Sequence, residues 1–174
     1  MISTNSIGRL QRRVCSAACA CFLAGVASAA AQEVTFSIKQ LTPETALKLA
    51  KATLEACRKE GFQVAVAVTD RSGVAQVLLR DRFAGPHTVA VAIDKAWTAV
   101  SFRQDTLALA RATADPANAG LRHFDRVVAV GGGVPIEAGG SILGALGVSG
   151  GPGGEVDDRC ARSGLEAVRG DLDF

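Results

Sequence analysis

The sequence predicts a single α+β domain: a mainly antiparallel sheet of about five strands flanked by helices, in the order α-β-β-α-α-β-β-β-α. Three observations carry this expectation. Several segments repeat apolar residues at helical spacing behind recognisable start signals. The β-rich runs are joined by connections of hairpin length, which link antiparallel strands, whereas parallel strands need long crossovers. Strands and helices do not alternate regularly, which separates the pattern from a doubly wound sheet.

The first 31 residues are set aside from the fold. Arg9, Arg12 and Arg13 precede an apolar, small-residue run over residues 14–27, and "ASAAAQ" then offers A-x-A cleavage sites. That is the pattern of a secretory signal peptide, with the cut expected after Ala29 or Ala31. The run is too short to span a bilayer. The domain is therefore expected over residues 32–174, in the periplasm or outside the cell, with no stable membrane insertion once the leader is gone.

The first helix is announced by "LTPETALKLAKATLEACRKEG": Thr42 caps it, Pro43 takes the first helical position and Glu44 suits its positive end. Leu47, Ala50, Leu54 and Cys57 recur on one face, and Gly61 ends it. Two β-rich runs in "QVAVAVTDRSGVAQVLLRDR" flank Asp70-Arg71-Ser72-Gly73, a hairpin with glycine at the left-handed position. Val64, Val66 and Val68 alternate with alanine, so both faces of that strand are expected to be covered. Residues 86–102 return to helical spacing through Val89, Ile93, Ala96, Trp97 and Val100, and Asp105 caps a shorter helix over residues 106–114. "RVVAVGGGVPIE" reads as strand, glycine turn, strand, and "SILGALGVSG" as a further strand with small residues where something packs closely. "EVDDRCARSGLEAV" is the last helix, and "RGDLDF" a short acidic tail.

Charge and motifs narrow the function classes. The whole chain carries 19 basic and 17 acidic residues, and three arginines but no acid lie in the leader, so the domain keeps 16 against 17. Nucleic-acid binding loses its electrostatic basis. No lysine follows Lys95, so the glycine-rich stretch is no Walker loop, and Glu155, Asp157 and Asp158 would repel a phosphate at the last helix. Gly147-Val148-Ser149-Gly150-Gly151 matches G-x-S-x-G, but both histidines, His87 and His123, lie upstream of the serine, against the chain order that elbow requires. Asp157 and Asp158 suit a solvated helix start better than a cation site, and no zinc-type spacing occurs. The glycines between residues 131 and 154 are read as shape: sharp bends and close backbone approach, including between subunits. Cys57 and Cys160 are left as either a disulfide or two buried thiols.

Four blocks in order, "VAVAVTDRSGVAQVLLRDRFAGP", "AIDKAWTAVSFRQDT", "VGGGVPIEAGGSILGALGVSGG" and "DDRCARSGL", resemble the GlcG/HbpS-like haem-binding family, whose fold also forms the C-terminal domain of PduO-type cobalamin adenosyltransferases. The resemblance spans Leu41 to about Val168. It implies an antiparallel sheet flanked by helices, a homo-oligomer, and haem or another tetrapyrrole as ligand. It further implies that an exported member captures, buffers or senses haem. The alternative is an enzyme or accessory protein acting on a small organic acid or aldehyde, in a glycolate or diol context; whether the chain is an enzyme stays open.

Haem iron is held by His, Cys, Met or Tyr. The domain has no tyrosine, and Met1 leaves with the leader, which leaves His87, His123, Cys57 and Cys160. Cys57 sits on an apolar helix face and His123 in "GLRHFDR", whereas His87 opens a helix beside a loop and is the candidate axial ligand. Lys95 and Thr106 match recurrent family positions, and Arg80 follows the second strand; haem propionates would want Arg80 or Lys95. Thr106 resembles the threonine of the family's helical pocket element. Trp97 and Phe102 can stack on a porphyrin, but their spacing suits the core equally.

Overall fold

The computed structural model describes residues 33–172; the expected leader over residues 1–31 lies outside them. Two compact units, Met1–Phe36 and Ser37–Phe174, divide the chain, and every helix and strand described here belongs to the second. Among the described residues, no helix is long and apolar enough to cross a membrane.

Helix α1 spans Pro43–Lys59, and the Thr42 hydroxyl accepts from the Thr45 amide at 3.2 Å, satisfying a helix-start donor. Its buried stripe is Ala46, Leu49, Ala50, Thr53, Leu54 and Cys57, so Leu47 lies at the exposed margin rather than in the stripe. Strands β1 (Ala65–Asp70) and β2 (Ala75–Arg80) form the expected hairpin, and Gly73 takes φ +79° at its turn, where a Cβ would also strike Trp97. Helix α2 is Thr88–Phe102 and α3 is Thr106–Ala112. Asp105 stands at the N-cap of α3 but makes no capping bond; its carboxylate meets Arg162 at 2.6 Å instead.

After a 3-10 turn at Ala119–His123 come β3 (Gly133–Ala138) and β4 (Ser141–Ser149), then α4 (Gly154–Ala167) and α5 (Arg169–Leu172). The sheet has four antiparallel strands in the order β2-β1-β4-β3, one fewer than expected. The missing strand is residues 127–130. A side chain holds this segment: the Val128 amide donates to Thr98 Oγ1 at 3.0 Å, and that hydroxyl's own proton goes to the Asp94 carbonyl at 2.7 Å. The tail is also partly structured: Leu172 is buried, and Asp171 pairs with Lys48 at 2.6 Å.

Because side chains alternate along a strand, each face of the sheet collects its own set. Val66, Val68, Leu146 and Val148 join the core beneath α1 and α4, where Cys57 and Cys160 form a disulfide joining the two helices. The opposite face presents Ala65, Ala67, Ala145 and Gly147 to Ala92, Ala96 and Ala99 of α2. A Cβ on Gly147 would land on the Ala92 carbonyl oxygen, so α2 rests directly on the strand's backbone.

Candidate functional site

Where β4 ends, the chain turns through residues 150–153 into α4. This turn, the start of α2 and the segment around residues 128–130 enclose a cavity of about 470 Å³. Three of its lining residues, His87, Val91 and Lys95, follow one another at i, i+4 and i+8, one stripe along α2. The stripe runs from an exposed imidazole through a half-buried valine to an ammonium that is 2% exposed. The His87 ring lies over Gly85 and makes no side-chain capping bond. Phe83, Val128 and Val130 add apolar wall, and Phe83 is among the most exposed aromatic side chains described.

At the deep end, Lys95 Nζ donates to the Val148 carbonyl at 2.9 Å and to Asp157 Oδ2 at 2.7 Å. Asp157 Oδ1 accepts from the Gly151 amide at 2.8 Å, which ties the glycine turn to α4. Burial pushes the Lys95 ammonium below its ordinary range, and the charges of Asp157 and then Asp158 pull it back up. A charged pair this deep is held together because either partner alone would be an uncompensated charge out of water. Beside it, Ser149 is 6% exposed and lines the cavity.

Two of the four expected binding residues, His87 and Lys95, therefore share this cavity. Arg80 and Thr106 lie apart from it. Arg80 Nε donates to the Ala84 carbonyl at 2.8 Å and steadies the loop that leads to α2. Thr106 is fully buried and its hydroxyl accepts from the Gly133 amide at 2.8 Å, fixing α3 to β3. His123 sits exposed in the 3-10 turn, not at the entry to a strand, and lines none of the cavities described here. The disulfide withdraws Cys57 and Cys160 from metal ligation. Trp97 is half-buried against Gly73, with the Arg126 guanidinium 4.8 Å above its ring, so the indole lies on the outer side of α2. Ser149 makes no hydrogen bond to an imidazole, so its G-x-S-x-G context assembles no nucleophile and base. No cluster of three or more His, Cys, Asp or Glu able to hold a metal occurs among the described residues.

In the sequence Asp157 reads as a first-turn acid in preference to a cation ligand and Ser149 as the serine of a coincidental G-x-S-x-G match, and neither reads as part of this cavity. The four-residue spacing of His87, Val91 and Lys95 was the available signal. A larger cavity of about 650 Å³ lies between α3 and α4, but its chemistry is less inviting. Its Arg162 is engaged by Asp158 at 2.8 Å and by Asp105 at 2.6 Å, its Arg169 by Glu166, and no iron-ligating side chain lines it.

Known proteins align with this arrangement along most of the chain. Residues 41–166 match the family described as haem degrading protein HbpS-like. An uncharacterized 15.0 kDa protein of Citrobacter freundii, from the dhaT-dhaS intergenic region, is 31% identical over 117 residues, covering 66% of this chain and 82% of its own length. The crystal structure of Streptomyces reticuli HbpS, in a double-mutant form, is 37% identical with a TM-score of 0.73, over 80% of this chain and 94% of that one. A PduOC:Heme complex is 30% identical with a TM-score of 0.69, over 74% of this chain and 94% of that one. On these grounds the chain belongs to the HbpS-like family.

Proposed function

We propose that this protein is an exported haem-binding protein that captures, buffers or senses haem, and that it takes haem at the cavity headed by His87. One observation carries the reading: across the three cavities described, His87 is the one lining side chain of iron-ligating type, and the two described cysteines are committed to a disulfide. Its surroundings fit the group. Phe83, Val91, Val128 and Val130 offer an apolar wall for a porphyrin face, and the stripe ends in a cation. Bound haem would supply an iron centre with open chemistry toward a nitrogen ligand. The chain's own part is to present the His87 imidazole at a helix start, to exclude water with the apolar wall, and to keep the deep end of the cavity rigid through the Lys95–Asp157 pair.

Export is supported by the leader's composition and by the disulfide, which persists in oxidising compartments. Self-assembly into a homo-oligomer belongs to the same proposal, and sedimentation of the processed protein tests it. The haem reading is tested by titrating residues 32–174 with hemin. A Soret shift saturating near one equivalent is expected, weakened at least tenfold by His87→Ala and unchanged by His123→Ala. Absence of any shift beyond that of free hemin overturns it.

A further inference from the structure

The deep end of the cavity holds donors that the haem reading does not use. An ammonium carries three N–H donors. Two of those on Lys95 reach Val148 and Asp157, and the third has no acceptor among the described residues. The Ser149 hydroxyl, 6% exposed, likewise has no hydrogen-bond partner among them. Its oxygen opens onto the cavity and is not sealed in the core, so a ligand seated there can pair with it. The third contribution is the start of α4. Gly153 stands at its N-cap with no side chain to cap it; the Val156 and Asp157 amides turn to the Gly153 carbonyl, which leaves those of Gly154 and Glu155 without a partner among the described residues. Gly153 and Gly154 both line the cavity.

We infer that Lys95 Nζ, Ser149 Oγ and the amides opening α4 form a seat for a carboxylate. These donors suit one compact oxyanion, and a helix start favours negative charge. The acids that would oppose an anion are accounted for. Asp157 is met by Lys95 and the Gly151 amide, Asp158 Oδ2 is met by Arg162 at 2.8 Å while Asp158 Oδ1 is buried without a partner among the described residues, and Glu155 is exposed. The single negative charge of a carboxylate meets less repulsion from these acids than the double charge of a phosphate. A small free acid and a propionate arm of haem present the same group, so the seat does not depend on haem binding.

The test uses the processed protein free of haem, with the Gly153 and Gly154 amides followed by two-dimensional NMR. Acetate and glycolate are titrated separately. Saturable shifts of those amides are expected, weakened at least fivefold in Ser149→Ala, whose folded state is checked by thermal melting. In a second arm, hemin is compared with hemin dimethyl ester, which lacks the carboxylates. Acid binding with equal affinity for the two hemins assigns the seat to a free acid. A preference of tenfold or more for hemin, lost in Ser149→Ala, assigns it to a propionate. If hemin fails to bind while the acids saturate, the haem reading falls and the seat stands. If hemin and its ester bind alike and neither acid moves the amides, the haem reading stands and the seat falls. Tighter binding of inorganic phosphate than of acetate also overturns the carboxylate assignment.

Discussion

The two faces of the sheet are built from different material. Beneath α1 and α4 lie Val66, Val68, Leu146 and Val148, packed on Leu49, Ala50 and the Cys57–Cys160 disulfide. Beneath α2 lie Ala65, Ala67, Ala145 and Gly147. Each fully buried valine or leucine contributes about 1.5–3 kcal/mol, and alanines far less, so the first face supplies most of the folding energy. The second draws a helix backbone onto the strand and ends, at Ser149, in a polar recess. One sequence thus separates holding the fold from making room for a guest. The alternation of valine and alanine in β1 is where that division is written.

The sharpest way to break this division is to put an unpaired charge into the recess. Lys95→Met strands Asp157, and a loss of about 3–5 kcal/mol is expected in urea unfolding, most of it restored when Asp157→Leu is added. A loss under about 1 kcal/mol would show that water reaches the pair after all. Next in size comes the apolar face. Replacing both cysteines, Cys57→Ala with Cys160→Ala, is expected to cost about 2–4 kcal/mol by chemical denaturation, while leaving ligand binding at the recess unchanged in the folded protein. Impaired binding in that variant would mean that the two faces are mechanically coupled.

The smallest effect concerns an ion pair on the α1 side. Arg58 donates to both oxygens of Asp81, at 2.7 and 2.9 Å, and the guanidinium holds that carboxyl down to about 2. A carboxyl depressed in the folded state stabilises above the unfolded value near 4, and that contribution fades as pH falls toward 2. Melting temperature should therefore drop over this window, and less steeply in Asp81→Asn. Arg58 is partly exposed, so added salt should shrink the difference. An identical acid limb in the variant would remove Asp81 from the account.

Much of the fold could be read from the chain because its signals are local. Thr42, Pro43 and Gly61 bound α1, and the Asp70–Gly73 turn sets the first hairpin. What failed was pairing at a distance. Residues 127–130 have strand composition, yet the Val127 amide goes to the Phe124 carbonyl and the Val128 amide to the Thr98 hydroxyl, which no periodicity announces. Lys95 and Asp157 are 62 positions apart and the two cysteines 103, so neither union is visible in spacing. Arg80 was named for its charge and Thr106 for its resemblance to a family position; in the fold Arg80 Nε meets the Ala84 carbonyl and the Thr106 hydroxyl the Gly133 amide, contacts that no local pattern announces.

The stripe of His87, Val91 and Lys95 works as a fixed depth gauge. Eight residues at the helical rise separate its ends by about 12 Å along the axis. A guest in the proposed site would meet two marks whose spacing is set by the helix backbone. One residue inserted between them would swing the lower mark about 100° away from the recess, and close to a full turn would bring it back.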